Sequence, residues 1–268
     1  MKIILWIGNE PNQIALANKI HEIYPIDTIF VETKKTKQKV THLIIFQKII
    51  EKLFLSKISQ AWFNMLSHYK LMYTSFPEVK IVYTDNINSE LVFQQSVGLT
   101  PDLIIVSGTR LIKEKLLSVN PSIGILNLHT GLSPYMKGGP NCTNWCIANN
   151  QLHLIGNTIM WIDKGIDSGN IITTELTCLD GTEDLSKIHI KVMEHAHQLY
   201  LKAITSIVNG KQSNVPQLEI AQGQVFYTKD WTLDKKISLV RNLRKYAAIV
   251  NSNDYKKEQS QLKLIKIE

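Results

Sequence analysis

Apolar positions in the first part of the chain fall into short continuous runs separated by stretches of helical spacing. Lys2–Ile7 is a β-rich run that ends at the turn-forming Gly8, Asn9, Glu10, Pro11 and Asn12. Ile14, Ala17, Ile20 and Ile23 then recur on one helical face, and Thr28–Val31 is a second strand candidate. Strand, turn, helix and strand in this order open a doubly wound α/β unit. Thr41–Tyr73 is long and amphipathic, with apolar Ile44, Ile45, Ile49, Ile50, Leu53 and Phe54, and predicts one or two inserted helices. The alternation then resumes with strands at Lys80–Tyr83, Leu103–Val106 and Gly124–Leu128, and helices at Ser89–Ser96 and Leu111–Leu117. Strands separated by helices predict a parallel sheet covered on both faces.

Further on the pattern changes. Leu152–Ile162 and Ile171–Cys178 read as extended runs joined through Gly165–Gly169, and Asp184–Val208 reads as one long helix. After Gly210 the chain turns polar and less regular. The expected organisation is therefore a catalytic domain over residues 1–210 and a short extension of hairpin and helix over 211–268. The polar end from Asn251 to Glu268 is left open between disorder and a homodimer contact.

Composition narrows the class. With 44% hydrophobic and 20% charged residues the chain has too much apolar material for disorder. No apolar run reaches the ~18 residues that cross a bilayer, and the first residues lack a signal pattern. The expectation is a cytoplasmic protein with no membrane partner. Three cysteines cannot all pair within one chain, which fits a reducing compartment. The net charge of +7 favours anionic ligands without choosing among them. Part of it lies in Lys34, Lys35, Lys37 and Lys39, which read as solvated surface. The first turn has no Gly-x-Gly-x-x-Gly, so a dinucleotide fingerprint is not supported, although a helix N-terminus there suits an anion.

The chemistry concentrates in residues 124–140. Asn127 and His129 sit two apart at the end of a predicted parallel strand, so both side chains leave the same face. Open α/β sheets bind ligands at the carboxyl ends of their strands. A carboxamide N–H can donate to a developing oxyanion, and an imidazole can move a proton near neutral pH. Singly, each is more simply a turn former or a structural histidine; the pair, followed by a Pro- and Gly-rich loop, is more specific. Asp163 and Asp167 flank a glycine-containing loop. Asp163 reads as a turn residue accepting backbone N–H groups, and the role of Asp167 depends on whether it meets His129. Cys142, Cys146 and Trp145 read as core on a helix starting near Pro140. His189, Glu194, His195 and His197 read as a polar helix face without a metal-ligand motif.

Asn-x-His, a Leu-Ser-Pro loop, a Gly-Gly-Pro turn, a Trp-bearing helix and then Gly-Ile-Asp-Ser-Gly resemble the 10-formyltetrahydrofolate-dependent formyltransferase family. The likeness is dense over residues 101–175 and looser before them. It implies a Rossmann-like, mostly parallel formyltransferase fold, with Asn127, His129 and Asp167 as the catalytic residues and no metal. It implies a formyl donor, 10-formyltetrahydrofolate, held beside Thr109, Arg110, Leu111, Ile112, Asp163, Lys164 and Gly165. The chain departs from the family in reading His-Thr-Gly-Leu-Ser-Pro for His-Ser-Leu-Leu-Pro and in Lys137 where Arg is common.

Three acceptors compete within the resemblance. The residues after Gly210 are too few for the C-terminal barrel of methionyl-tRNA formyltransferases, which disfavours nucleic acid. A carboxylate at Glu10 disfavours the phosphoribosylglycinamide enzymes. A sugar-nucleotide N-formyltransferase of polysaccharide biosynthesis fits best, acting on a UDP- or dTDP-linked amino sugar. Lys137, Gly138 and Gly139 read either as a tight connection or as a turn that meets its diphosphate, with Asn9 and Thr130 as further acceptor-side candidates. Residues 223–230 resemble the short hairpin of such enzymes. A folate-binding protein without turnover and a basic nucleic-acid-binding protein are the alternatives of other classes.

Overall fold

The computed structural model describes residues 1–33 and 55–267. The lysines at 34, 35, 37 and 39 and the apolar positions 44–54 of the expected insert lie outside the described residues.

Five apolar runs form parallel strands: β1 (Ile3–Gly8), β2 (Ile26–Glu32), β3 (Lys80–Thr84), β4 (Leu103–Ser107) and β5 (Gly124–His129). Two antiparallel strands complete the sheet, β7 (Gly156–Trp161) and β8 (Ile171–Leu176), in the order β3-β2-β1-β4-β5-β7-β8. A short β6 (Met136–Gly138) lies outside it. The mostly parallel α/β fold expected from the alternation is the one observed.

Period-two alternation sorts β1 between two cores. Ile3, Leu5 and Ile7 meet Leu16, Ala17 and Ile20 of α1 (Pro11–Ile23) and Leu199, Tyr200 and Ala203 of the long helix Leu185–Val208. Ile4 and Trp6 face Phe30, Ile104, Val92 and Leu116 on the other side. Those last two lie on α3 (Glu90–Leu99) and α4 (Glu114–Leu117), the latter shorter than the helix expected over Leu111–Leu117. Helix α2 (Ser56–Met72) packs outside α1 and the long helix.

The long helix, numbered α6 after the short α5 (Cys142–Ala148), is capped by Asp184, whose side chain accepts from Lys187 N. Such a cap contributes about 1 kcal/mol. Its histidines correct the expectation of a polar face. His189 and His197 are buried, because α6 is covered by the sheet on one side and by Trp62 and Tyr69 of α2 on the other. Glu194 pairs with Lys19, and His195 lies 3.2 Å from Glu175.

Two further expectations change. Leu152–Ile162 is not one extended run: Leu152–Leu154 is a 3-10 turn and the strand starts only at Gly156. Residues 223–230 do not form a hairpin. Gln224–Phe226 (β9) instead pairs in parallel with β6, some ninety residues earlier in the chain. The remaining tail forms α7 (Leu233–Leu243), α8 (Tyr246–Val250) and α9 (Asn253–Ser260). Phe226, Leu239, Tyr246, Val250 and Tyr255 share one core with Leu132, Trp145 and Ile188. Trp145 lies against Phe226, tilted by 30° at 4.6 Å between centroids, and meets Trp231 edge-on at 4.9 Å. Residues past 260 dock as well, since Ile265 exchanges hydrogen bonds with Thr174 and Thr173.

Candidate active site

Leu126 and Leu128 of β5 point into the α1/α6 core, so Asn127 and His129 leave the opposite face. The loop between β7 and β8 brings Asp167 to both. Its Oδ1 accepts from Asn127 Nδ2 at 3.4 Å, and its Oδ2 lies 3.2 Å from His129 Nδ1. Gly138 N of β6 donates to the same Oδ2 at 3.0 Å. The other imidazole nitrogen, Nε2, is 3.1 Å from Met136 O and 3.6 Å from Cys142 Sγ. Both ring nitrogens thus face acceptors, an arrangement that suits the doubly protonated ring.

Burial pulls the His129 pKa down, but the Asp167 carboxylate, with the Cys142 and Met136 contacts, outweighs it and raises it to about 10. Burial also pushes the Cys142 thiol up. Cys142 is therefore a neutral thiol, whose Sγ donates to Gly138 O at 3.4 Å, and Asp167 is the charge that holds the proton on His129.

A cavity of about 410 Å³ opens beside this cluster. Asn127 and Asp167 line it, whereas His129 sits behind them, 7% exposed. One wall is the segment after β4, with Thr109, Arg110, Leu111 and Ile112, and the other holds Trp161, Asp163, Gly165 and Ile166. Thr228 of the tail closes one side. Asp163 Oδ1 accepts from Gly165 N at 2.9 Å and Ser168 Oγ at 2.6 Å, the turn role expected of it. Lys164 does not line the cavity and pairs with Glu114 at 2.5 Å on the exposed surface.

Of the residues expected to meet an acceptor, Gly139 reaches the cavity and Gly138 binds Asp167. Gly138 has φ +89, and a Cβ there would lie 2.1 Å from Phe226 O, so the close β6–β9 approach requires glycine. Asn9 is exposed, and Thr130 and Lys137 are half-buried; none of the three lines the cavity.

Sequence reading missed Glu32. Fully buried at the end of β2, its carboxylate takes Ile87 N at 3.0 Å and Arg110 N at 2.8 Å. A charged residue closing the apolar run Ile29–Val31 is the signal that marks it. Among the described residues, no group of three or more His, Cys, Asp or Glu is placed to hold a metal ion, and no helix is long and apolar enough to cross a membrane.

Known proteins share sequence and fold with this chain. A methionyl-tRNA formyltransferase of Methylacidiphilum infernorum is 31% identical over 157 residues, 56% of this chain and 48% of its own length. The chain thus spans about half the length of that curated relative. A sugar N-formyltransferase from Shewanella has the same fold at 14% identity, with a TM-score of 0.59 over 91% of this chain and 88% of that one. The formyltransferase PseJ from Anoxybacillus kamchatkensis, solved with UDP-4,6-dideoxy-4-formamido-L-AltNAc and tetrahydrofolate, has a TM-score of 0.53 at 17% identity. It covers 90% of this chain and 97% of its own. The family model described as formyl transferase matches residues 3–204, which contain Asn127, His129, Asp167 and both cavity walls, and the chain belongs to that family.

Proposed function

We propose that this formyltransferase moves a formyl group from 10-formyltetrahydrofolate to the amine of a nucleotide-linked amino deoxysugar. The observation that carries the reading is the Asn127–Asp167–His129 cluster at the edge of a cavity of ligand size. Leu111, Ile112, Trp161 and Ile166 offer apolar faces, and polar groups of Gly108, Thr109, Asp163 and Ser168 stand among them. Such walls fit a flat, polar-edged heterocycle. Once bound there, the donor supplies the formyl carbon.

The chain's own groups then have distinct tasks. Asn127 Nδ2 donates to the formyl oxygen as negative charge builds on it. Transfer requires the amine to lose a proton and the departing nitrogen to gain one. Asp167, at the cavity wall, takes the proton from the attacking amine and returns it to the departing nitrogen as the new C–N bond forms and the old one breaks. The His129 ring behind it balances the carboxylate's charge. The Asp167 Oδ2 faces His129 and its Oδ1 lies beside Asn127. Confining amine and formyl carbon in one cavity supplies the orientation that these transfers need.

The sugar-nucleotide acceptor is favoured because the sugar N-formyltransferase structures resemble the chain over nine-tenths of its length. A second reading, formylation of methionyl-tRNA, is favoured by the curated relatives at up to 33% identity. The pure protein would be given 10-formyltetrahydrofolate with UDP- and dTDP-linked amino sugars, methionyl-tRNA or glycinamide ribonucleotide. A mass gain of one formyl group on a sugar nucleotide, lost in Asn127→Ala, is the expected result. Formylated tRNA with every sugar unchanged would establish the second reading instead.

A further inference from the structure

Asp167 holds an uncommon backbone conformation, with φ +47 in a residue that carries a side chain. L-residues with a Cβ visit this region sparingly, Asp more readily than most, and contacts from outside the turn help to keep it there. The observed restraint comes from the tail. Gln217 Nε2 donates to Asp167 O and to Gly169 O, both at 2.8 Å, and so ties the two ends of the turn that presents the carboxylate. The amide orientation follows from chemistry, because the flipped amide would aim its oxygen at two carbonyls.

Gln217 is itself fixed. It is 7% exposed, follows Pro216, and opens a 3-10 turn. The adjacent Val215 exchanges both backbone hydrogen bonds with Ile171 at the start of β8, at 2.8 and 3.0 Å. Its own Oε1 is buried and has no partner among the described residues. One half of the amide is left unsatisfied while the other half serves the Asp167 turn. The same tail braces the opposite side of the carboxylate. Phe226 O accepts from Gly139 N at 3.0 Å, which steadies the β6 turn whose Gly138 N–H binds Asp167 Oδ2.

We infer that Gln217, which lies beyond the residues matched by the family, is a positioning residue for the proposed transfer. It acts through Asp167, by holding the turn in the one conformation that lets the carboxylate reach Asn127 and His129 together. Gln217 touches no reacting atom; its effect passes through the backbone of residues 167–169. The inference rests on the formyl-transfer reading for its catalytic consequence, but not for its geometry.

The test uses the full chain with Gln217→Met, which keeps length and removes the donors, and Gln217→Asn, which keeps the amide but draws it back by about one C–C bond, ~1.5 Å. Asn242→Ala is the matched control. Asn242 Nδ2 also bridges two carbonyls from the tail, Ile147 O at 2.9 Å and Ala148 O at 3.1 Å, but far from Asp167 in the hydrogen-bond network. The first readout is the NMR titration of His129, which needs no substrate. Its ring faces Asp167 on one nitrogen and Cys142 and the Met136 carbonyl on the other.

Both Gln217 variants should lower the His129 midpoint by about one unit, a tenfold loss of proton affinity. Asn242→Ala should leave it in place. With an acceptor in hand, kcat should fall at least tenfold in the Gln217 variants while KM for the donor changes little. An unchanged His129 midpoint in folded Gln217→Met would overturn the inference. So would loss of the native fold in both Gln217 variants, which would make Gln217 a folding residue. If the wild-type chain formylates none of the acceptors, the functional reading fails, while the titration still decides the role of Gln217.

Discussion

Arg110 and Glu32 meet twice: Arg110 N donates to one carboxylate oxygen at 2.8 Å and its Nε reaches the other at 2.5 Å. Glu32 is fully buried and Arg110 is half open to the cavity side, so the buried partner sets the position of the exposed one. The pair pins the segment after β4 that walls the cavity. Glu32→Gln places an amide N–H against backbone donors, and leaving one of them unsatisfied costs about 1–3 kcal/mol. Thermal unfolding should show that loss. Titration with a reduced folate should show binding weakened roughly tenfold for each ~1.4 kcal/mol that falls on the loop.

Asn127→Ala removes the side-chain amide that lines the cavity beside Asp167. Removal of a single oxyanion donor typically costs about 10²–10³ in rate. Single-turnover formyl transfer should fall by that factor while folate affinity holds. A variant with the wild-type rate would take Asn127 out of the chemistry.

Asp167→Asn tests what holds the His129 proton. Without the carboxylate, burial dominates, and the midpoint should drop from about 10 to below the ordinary histidine value near 6.5. The sign carries over to stability. A raised folded pKa gives stability that is complete below about pH 6.5 and is lost as pH rises through 10. Wild-type unfolding free energy should therefore decline across that interval, and the decline should be absent in Asp167→Asn. Urea titrations at stepped pH read both.

His189 and His197 behave in the opposite way. Burial lowers them to about 4 and about 3, with Lys19 adding to the effect on His197. They are neutral in the folded chain and take up protons on unfolding below about 6.5. The stability they contribute is present above pH 6.5 and is lost as pH falls toward 4 and 3. Each contributes a slope of about 1.4 kcal/mol per pH unit in that window. His197 has neither ring nitrogen hydrogen-bonded among the described residues. His197→Leu should therefore flatten the acid limb by one proton without loss of stability at pH 7.

The elements legible in the sequence are those whose signal is local. Lys2–Ile7, Leu103–Val106 and Gly124–Leu128 are continuous apolar runs because both faces of a central parallel strand are buried. Asn127 and His129 share a face by strand periodicity alone, whereas only the returning loop could bring Asp167 to them. The misreadings have non-local causes. Nothing within residues 223–230 indicates that Gln224–Phe226 pairs with Met136–Gly138. His189 and His197 look like a solvated face until α2 covers it. Gln217 has no motif around it at all, since its partners are backbone carbonyls, which any residues would present.

The β6–β9 pairing gives the site a place in time during synthesis. Asn127, His129 and Asp167 all emerge before the strand that steadies the turn beneath them. At roughly 5–20 residues per second, the roughly 60 residues between Asp167 and Phe226 take about 3–12 s to make. For that interval the nascent chain carries all three proposed catalytic side chains around an unbraced turn. Assembly of the reacting geometry is thus tied to the arrival of Phe226, and a ribosome stalled before it would display a folded sheet with an unfinished centre.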